Sequence, residues 1–342
     1  MTTPPLPILP TMGVGSAAAP GWLYLGRHQM RDGAMGSADI DEMFDDATRL
    51  AVADQIDAGI DIISDGELRR QRFVYEMYER LNGLKRVPPA RRLGVPGYDS
   101  APHFIAEERI SAPRGLGVAR EFAALQLLAP GHHLKAAFPG ALTFALGIKS
   151  AARGRDNLID ELVNLVRQEV AELAAAGCRH IQLDEPSFAE PPLGITRREA
   201  AAIVNRCTEG HEQHIGVHIC FGNNAGRPLT DRGLARLLPE LEALHCRQLV
   251  LEFANREMAE IELLSGLARK YAIAVGVIDV KSFHVESAEQ VARRIELALN
   301  HVPLDRLSVT ADCGFSATPR ALAVAKMKAL VEGTALVRAR IA

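Results

Sequence analysis

The run Val217-His218-Ile219-Cys220 sets a histidine and a cysteine two residues apart. In an extended strand both side chains leave the same face and can reach one ion together. An H-x-C pair alone says little. Glu252, however, lies inside the apolar run Leu249-Val250-Leu251-Glu252-Phe253, where an unpaired carboxylate is costly to bury and calls for a cation. Cys313 follows the apolar run Leu307–Thr310 in Ala311-Asp312-Cys313-Gly314-Phe315. His218, Cys220, Glu252 and Cys313 together make the nitrogen, sulfur and oxygen donor set of a tetrahedral zinc site. Taken singly, each is as well explained as a core cysteine, a satisfied core histidine or a salt-bridged glutamate. Their joint occurrence at the ends of apolar runs is what points to a metal.

Other polar residues stand where apolar runs stop: Asp65 and Glu67, Asp184 and Glu185, and Asp279 and Lys281. The runs themselves read as strands: Pro10–Gly15, Ile60–Ser64, Lys135–Phe138, Ile181–Leu183, Ile215–Cys220, Gln248–Phe253, Ile273–Asp279 and Leu307–Thr310. Helical-period segments such as Asp160–Ala175 and Ala288–Leu299 fill the gaps. Eight strands in a βα repeat predict an α/β fold, a (βα)8 TIM barrel whose C-terminal strand ends share one face. An open doubly wound sheet is disfavoured, because no G-x-G-x-x-G or Walker motif opens a helix. Helix capping accounts for some of the Asp and Ser residues at these junctions, but not for cysteines and a histidine. Residues 81–122 break the repeat with Pro88-Pro89, Arg91-Arg92, Pro96-Gly97 and the alternating run His103–Ile110. They read as a segment with the pattern of a hairpin, inserted between the second and third barrel strands of a single domain covering 1–342.

The 342 residues are 48% hydrophobic and 24% charged, the balance of a globular chain with a large core. A net charge of −3 without a basic block argues against a nucleic-acid partner. No apolar run approaches a membrane span, and MTTPPLPILP lacks the charged and apolar regions of a secretory leader, so a cytoplasmic protein is expected. Five scattered cysteines, Cys178, Cys207, Cys220, Cys246 and Cys313, suit reduced thiols or metal ligands better than a disulfide framework.

The set H-I-C at 218–220, L-E-F at 251–253, D-C-G at 312–314, I-Q-L-D-E-P at 181–186 and D-G-E-L-R-R at 65–70 resembles the C-terminal catalytic barrel of cobalamin-independent methionine synthase. The resemblance runs from about Val14 to beyond Cys313. It implies a catalytic Zn2+ on His218, Cys220, Glu252 and Cys313, and a homocysteine thiol methylated to give methionine. It also implies that Gly15, Ser16, Glu67 and Asp184 bind the substrate, the two acids holding its ammonium and backbone N–H groups near Gly15 its carboxylate. The competing explanations are an acid beside Arg69 and Arg70 for Glu67, and a helix cap before Pro186 for Asp184.

The chain also departs from the family. There is no room in 342 residues for the second, N-terminal barrel of the full-length enzymes. Ile278-Asp279-Val280-Lys281-Ser282 stands where the family has tyrosine-aspartate-isoleucine-histidine-serine, so Lys281 occupies the place of a histidine implicated in methyl transfer. An ammonium cannot serve as a neutral imidazole. Asp279 and Lys281 are therefore the candidate catalytic residues, with Lys281 expected to meet an anionic donor or leaving group. Ala17-Ala18-Ala19-Pro20 likewise replaces the family's Phe-Pro-Gln-Thr pattern. The methyl donor stays open among a folate, a methylated corrinoid protein and a small methylated compound, as does a homo-oligomer. The runner-up is an alkyltransferase acting on another thiol, such as an epoxyalkane:coenzyme M transferase. A metal-free decarboxylase-like barrel and a non-enzymatic scaffold fit the thiol and carboxylate set less well.

Overall fold

Helix boundaries follow local chemistry that the sequence carries openly. The helix Ser37–Ala58 stops at Gly59, whose φ of 83° is the left-handed conformation that ends helices and that glycine adopts without Cβ strain. The helices Arg197–Thr208 and Ala288–Leu299 start with capping boxes, Thr196 with Glu199 and Ser287 with Gln290. The computed structural model describes residues 3–70, 73–90, 101–223 and 226–341.

Eleven strands are found among the described residues: β1 (Thr11–Met12), β2 (Ile62–Ser64), β3 (Asn82–Val87), β4 (His103–Ser111), β5 (His133–Pro139), β6 (Ile148–Ala151), β7 (His180–Asp184), β8 (Ile215–Ile219), β9 (Gln248–Leu251), β10 (Ala272–Ile278) and β11 (Leu307–Ala311). Eight of them form a closed parallel barrel in the order β1-β11-β10-β9-β8-β7-β5-β2. Every residue of β8 and of β11 is buried, as expected for parallel strands covered on both faces. Each strand read from the sequence has its counterpart here. Among the described residues, no helix is long and apolar enough to cross a membrane.

Several strands end earlier than their apolar runs, and the reason is visible. Past β9 the backbone N–H groups of Phe253 and Ala254 donate to Asp312, and past β10 that of Asp279 donates to Glu286. After β1 the carbonyls of Gly13 and Val14 accept from the Lys135 ammonium. Side chains thus take backbone groups that a longer ladder would have used.

Two compact units can be drawn in the chain. One comprises Met1–Gln71, Phe122–Lys135 and Val250–Ala342. In it Met12 is in register with Ile62 on one side and Thr310 on the other, over a core of Met12, Val14, Ile62, Val250 and Ala274. The other comprises Arg72–Glu121 and Ala136–Leu249. In it β7 and β8 pair so that Asp184 lies in register with His218.

The second unit also carries a separate sheet in the order β3-β4-β6. Strands β3 and β4 are antiparallel and fall within 81–122, whereas β6 follows β5 and pairs parallel to β4. Arg91-Arg92 and Pro96-Gly97 lie outside the described residues. Tyr78 anchors this region: its buried hydroxyl donates to the Phe144 carbonyl at 2.6 Å and accepts from Gly147 N–H at 3.0 Å, and its ring meets Phe104 and Phe144.

Candidate metal centre and substrate residues

His218 is the fourth residue of the buried strand β8, and Cys220 follows the strand directly. Both are 3% exposed. Cys313 follows β11. His218 and Cys220 thus sit together at the end of β8 in the second unit, while Cys313 and Glu252, the other two residues expected from the sequence, lie in the first.

Glu252 is fully buried, and its Oε2 accepts from the Lys281 ammonium at 2.7 Å. Lys281 therefore pairs with a carboxylate of its own chain. Burial works against the charge on Lys281, and Glu252, with smaller help from Cys313 and Asp312, outweighs it and raises the pKa above the ordinary lysine value. Glu252 Oε1 is buried without a hydrogen-bond partner among the described residues. That orphan oxygen is an acceptor still owed a donor or a cation.

Asp312, which the sequence reading left without a role, fixes the backbone next to Glu252. Its Oδ1 accepts from Phe253 N–H at 2.8 Å and Ala254 N–H at 2.9 Å, and its Oδ2 from the Asn255 backbone N–H at 2.7 Å and amide Nδ2 at 2.8 Å. Burial, followed by the Glu252 charge, pushes the Asp312 carboxyl up to about 7 despite these donors. A Cβ at Gly276 would stand 2.3 Å from Asp312 Oδ1, so only glycine fits there. Behind Lys281, Asp279 Oδ1 accepts from the Lys281 backbone N–H at 2.8 Å. The Asp279 contribution is thus to the shape of the loop. That loop is held in turn by Lys326, whose buried ammonium donates to the carbonyls of Asp279 and His284 and to Glu286. No spacing in the sequence marks Lys326 or Glu286, because their partners are remote in the chain.

Ser16 Oγ donates to Glu67 Oε2 at 2.9 Å, and Gly15 lies 3.5 Å, measured from an ideal Cβ, from the Gly314 Cα. A Cβ at Gly314 would stand 2.6 Å from Ser16 N, so the D-C-G turn requires glycine to pack on the Gly15-Ser16 backbone. Glu67 is 2% exposed with φ of 57°, a left-handed conformation that costs a non-glycine residue of order 1 kcal/mol or more and recurs at functional sites. Its N–H donates to Asp65 at 3.1 Å, and Arg70 stands 3.5 Å from its carboxylate. The arginine contact offered as a competing explanation is therefore real, although Arg69 pairs with Asp45 instead.

At the end of β7, Asp184 Oδ1 accepts from Gln182 Nε2 at 2.7 Å. The short helical turn Pro186–Phe188 has Glu185 as its N-cap residue, and the Glu185 side chain makes no capping bond. Its neighbour Glu185 is structural: it accepts from Leu142 N–H at 3.1 Å, Thr143 N–H at 2.9 Å and Thr143 Oγ1 at 2.8 Å. Burial pushes the Glu185 carboxyl up to about 8.

The chain matches a model of the family "Cobalamin-independent synthase, Catalytic domain" over residues 9–335. It is 28% identical over 338 residues to a methionine synthase of Saccharolobus solfataricus, covering 97% of this chain and 96% of that protein. It is 29% identical over 334 residues to a methionine synthase of Sulfurisphaera tokodaii, covering 97% and 94%. A solved structure of a B12-independent methionine synthase from Shewanella sp. W3-18-1, in complex with selenomethionine, superposes with a TM-score of 0.83 at 28% identity, covering 98% of this chain and 99% of that one. With the barrel, the motifs and a match over nearly its whole length, the chain belongs to the cobalamin-independent methionine synthase family, whose members are methyltransferases.

Proposed function

We propose that this protein is a zinc-dependent S-methyltransferase that methylates the thiol of homocysteine to give methionine. The observation that carries the reading is the His218 and Cys220 pair at the end of the buried strand β8, an imidazole and a thiol whose chemistry suits zinc, in a chain of this family that offers the Cys313 thiol as well. Glu252, with its buried Oε1 lacking a hydrogen-bond partner, supplies a further oxygen. Bound zinc supplies Lewis acidity that deprotonates a coordinating thiol, which with a free pKa of about 8.5 is otherwise mostly protonated at neutral pH.

The chain's own residues bind and orient the amino acid. Glu67 and Asp184, both nearly fully buried, hold the substrate ammonium. Backbone N–H groups around Gly15 and Ser16 take its carboxylate, the anion role of turns rich in small residues. In the transfer the thiol loses its proton, a sulfur–carbon bond forms, and the bond between methyl and donor breaks with its electron pair leaving on the donor. The selenomethionine held by the Shewanella enzyme is the selenium counterpart of that product, and supports an amino-acid acceptor over a thiol that lacks an ammonium.

The test combines elemental analysis of protein purified without a metal-affinity tag with an assay of methionine formation from homocysteine. About one zinc per chain and zinc-dependent methionine formation are expected. Less than about a tenth of an equivalent after attempted reconstitution would sink the site.

A further inference from the structure

Glu252 and Lys281 form an ion pair with side chains 0% and 7% exposed. A buried carboxylate needs a cation, and here the chain carries its own. The pairing uses Oε2 and leaves Oε1 without a hydrogen-bond partner among the described residues. Both partners are set from behind. Asp312 takes the N–H groups of residues 253–255, while Asp279 takes that of Lys281. The loop carrying Lys281 is tied down by the buried Lys326 and Glu286. A neutral side chain at position 281 would remove the cation with which this carboxylate pairs.

We propose that Lys281 is a positioning residue that competes with zinc for the Glu252 carboxylate and so lowers the affinity of the chain for the metal. The proposal rests on the zinc reading given above. In the metal-free protein the ammonium neutralises Glu252. The same pairing weakens zinc binding, because part of the attraction of Glu252 for the metal is spent in breaking its contact with Lys281.

The sign of this competition can be measured without turnover. Zinc affinity would be read by competition with a chromophoric chelator on the full chain, for the parent, Lys281→Met, Lys281→Arg, Glu252→Gln and the double variant Lys281→Met/Glu252→Gln. Lys281→Met strands Glu252 without a cation in the metal-free protein, so its zinc affinity should rise about 10- to 100-fold, the scale on which groups behind metal ligands act. Lys281→Arg keeps the pair and should stay near the parent. The double variant should lose the gain and match Glu252→Gln. Melting curves give a second readout: Lys281→Met should melt lower than the parent without zinc and show the larger rise when zinc is added. Zinc affinity that falls or stays unchanged in Lys281→Met overturns the proposal while leaving the zinc reading intact. A parent protein that takes up no zinc overturns both.

Discussion

Lys326→Met tests how the loop behind Lys281 is held. Lys326 stands on the helix Arg320–Ile341 with its side chain 0% exposed. Its ammonium donates to the Asp279 carbonyl at 2.9 Å, to the His284 carbonyl and to Glu286 Oε2 at 2.8 Å. Glu286 Oε1 accepts from Asp279 N–H at 2.8 Å and from Arg294 Nη1 at 3.3 Å. Methionine keeps most of the stem volume and removes the charge. Breaking a buried pair by removing one partner costs about 3–5 kcal/mol, because the other charge is stranded. Arg294 remains beside Glu286 and moves the expectation to about 3 kcal/mol, and the two carbonyls that lose a donor add about 1 kcal/mol. Urea unfolding of Lys326→Met, Glu286→Gln and the double variant would give the coupling directly, expected at about 1.5 kcal/mol or more. Burial alone would raise the Glu286 pKa. The Lys326 ammonium and the Asp279 N–H outweigh burial and hold it below 4.5. A carboxylate with a depressed folded pKa contributes in full above its unfolded value, and that contribution fades as pH falls through the folded value. The parent should therefore lose stability below about pH 4.5 more steeply than Lys326→Met. A cost under about 1 kcal/mol for Lys326→Met, or strictly additive variants, would refute the pairing as a source of stability.

Cys220→Ser and Cys313→Ser should each remove most of the zinc while far-UV dichroism stays that of the parent, since both lie past the last residue of their strands; full zinc retention in both would void the ligand assignment. Asp312→Asn replaces one of two acceptor oxygens by an NH2 group that faces N–H donors, and should cost about 1–3 kcal/mol in urea melts; an unchanged midpoint would remove Asp312 as the clamp on residues 253–255. Zinc-loaded protein should bind L-homocysteine about 10- to 1000-fold more tightly than its desamino analogue, because the analogue leaves Glu67 and Asp184 without their cation. Titration calorimetry measures both ligands, and equal affinities would move the function to a different thiol acceptor.

The barrel was legible in the apolar runs of the chain, and so were the polar residues at which those runs stop. Strands such as β8 and β11 are buried along their whole length, so they appear as uninterrupted apolar runs. A polar residue where such a run stops, as with Cys220 or Cys313, is visible without knowing its neighbours. Glycine at 314 is likewise part of a local motif. What tertiary structure decided is which partner each buried charge finds. Glu252 called for a cation on sequence grounds alone, but that this cation is Lys281, at 2.7 Å, is a pairing across 29 residues of chain. Asp312 reaches back across 59 residues to Phe253, and Lys326 across 40 to Glu286. The pairing of β6 with β4 joins a strand after β5 to one before it. Periodicity and local motifs report what a residue does within a turn or a strand. A buried ammonium 40 residues from its carboxylate leaves no local trace, because its position depends on how the helix Arg320–Ile341 packs and not on its own neighbours in sequence.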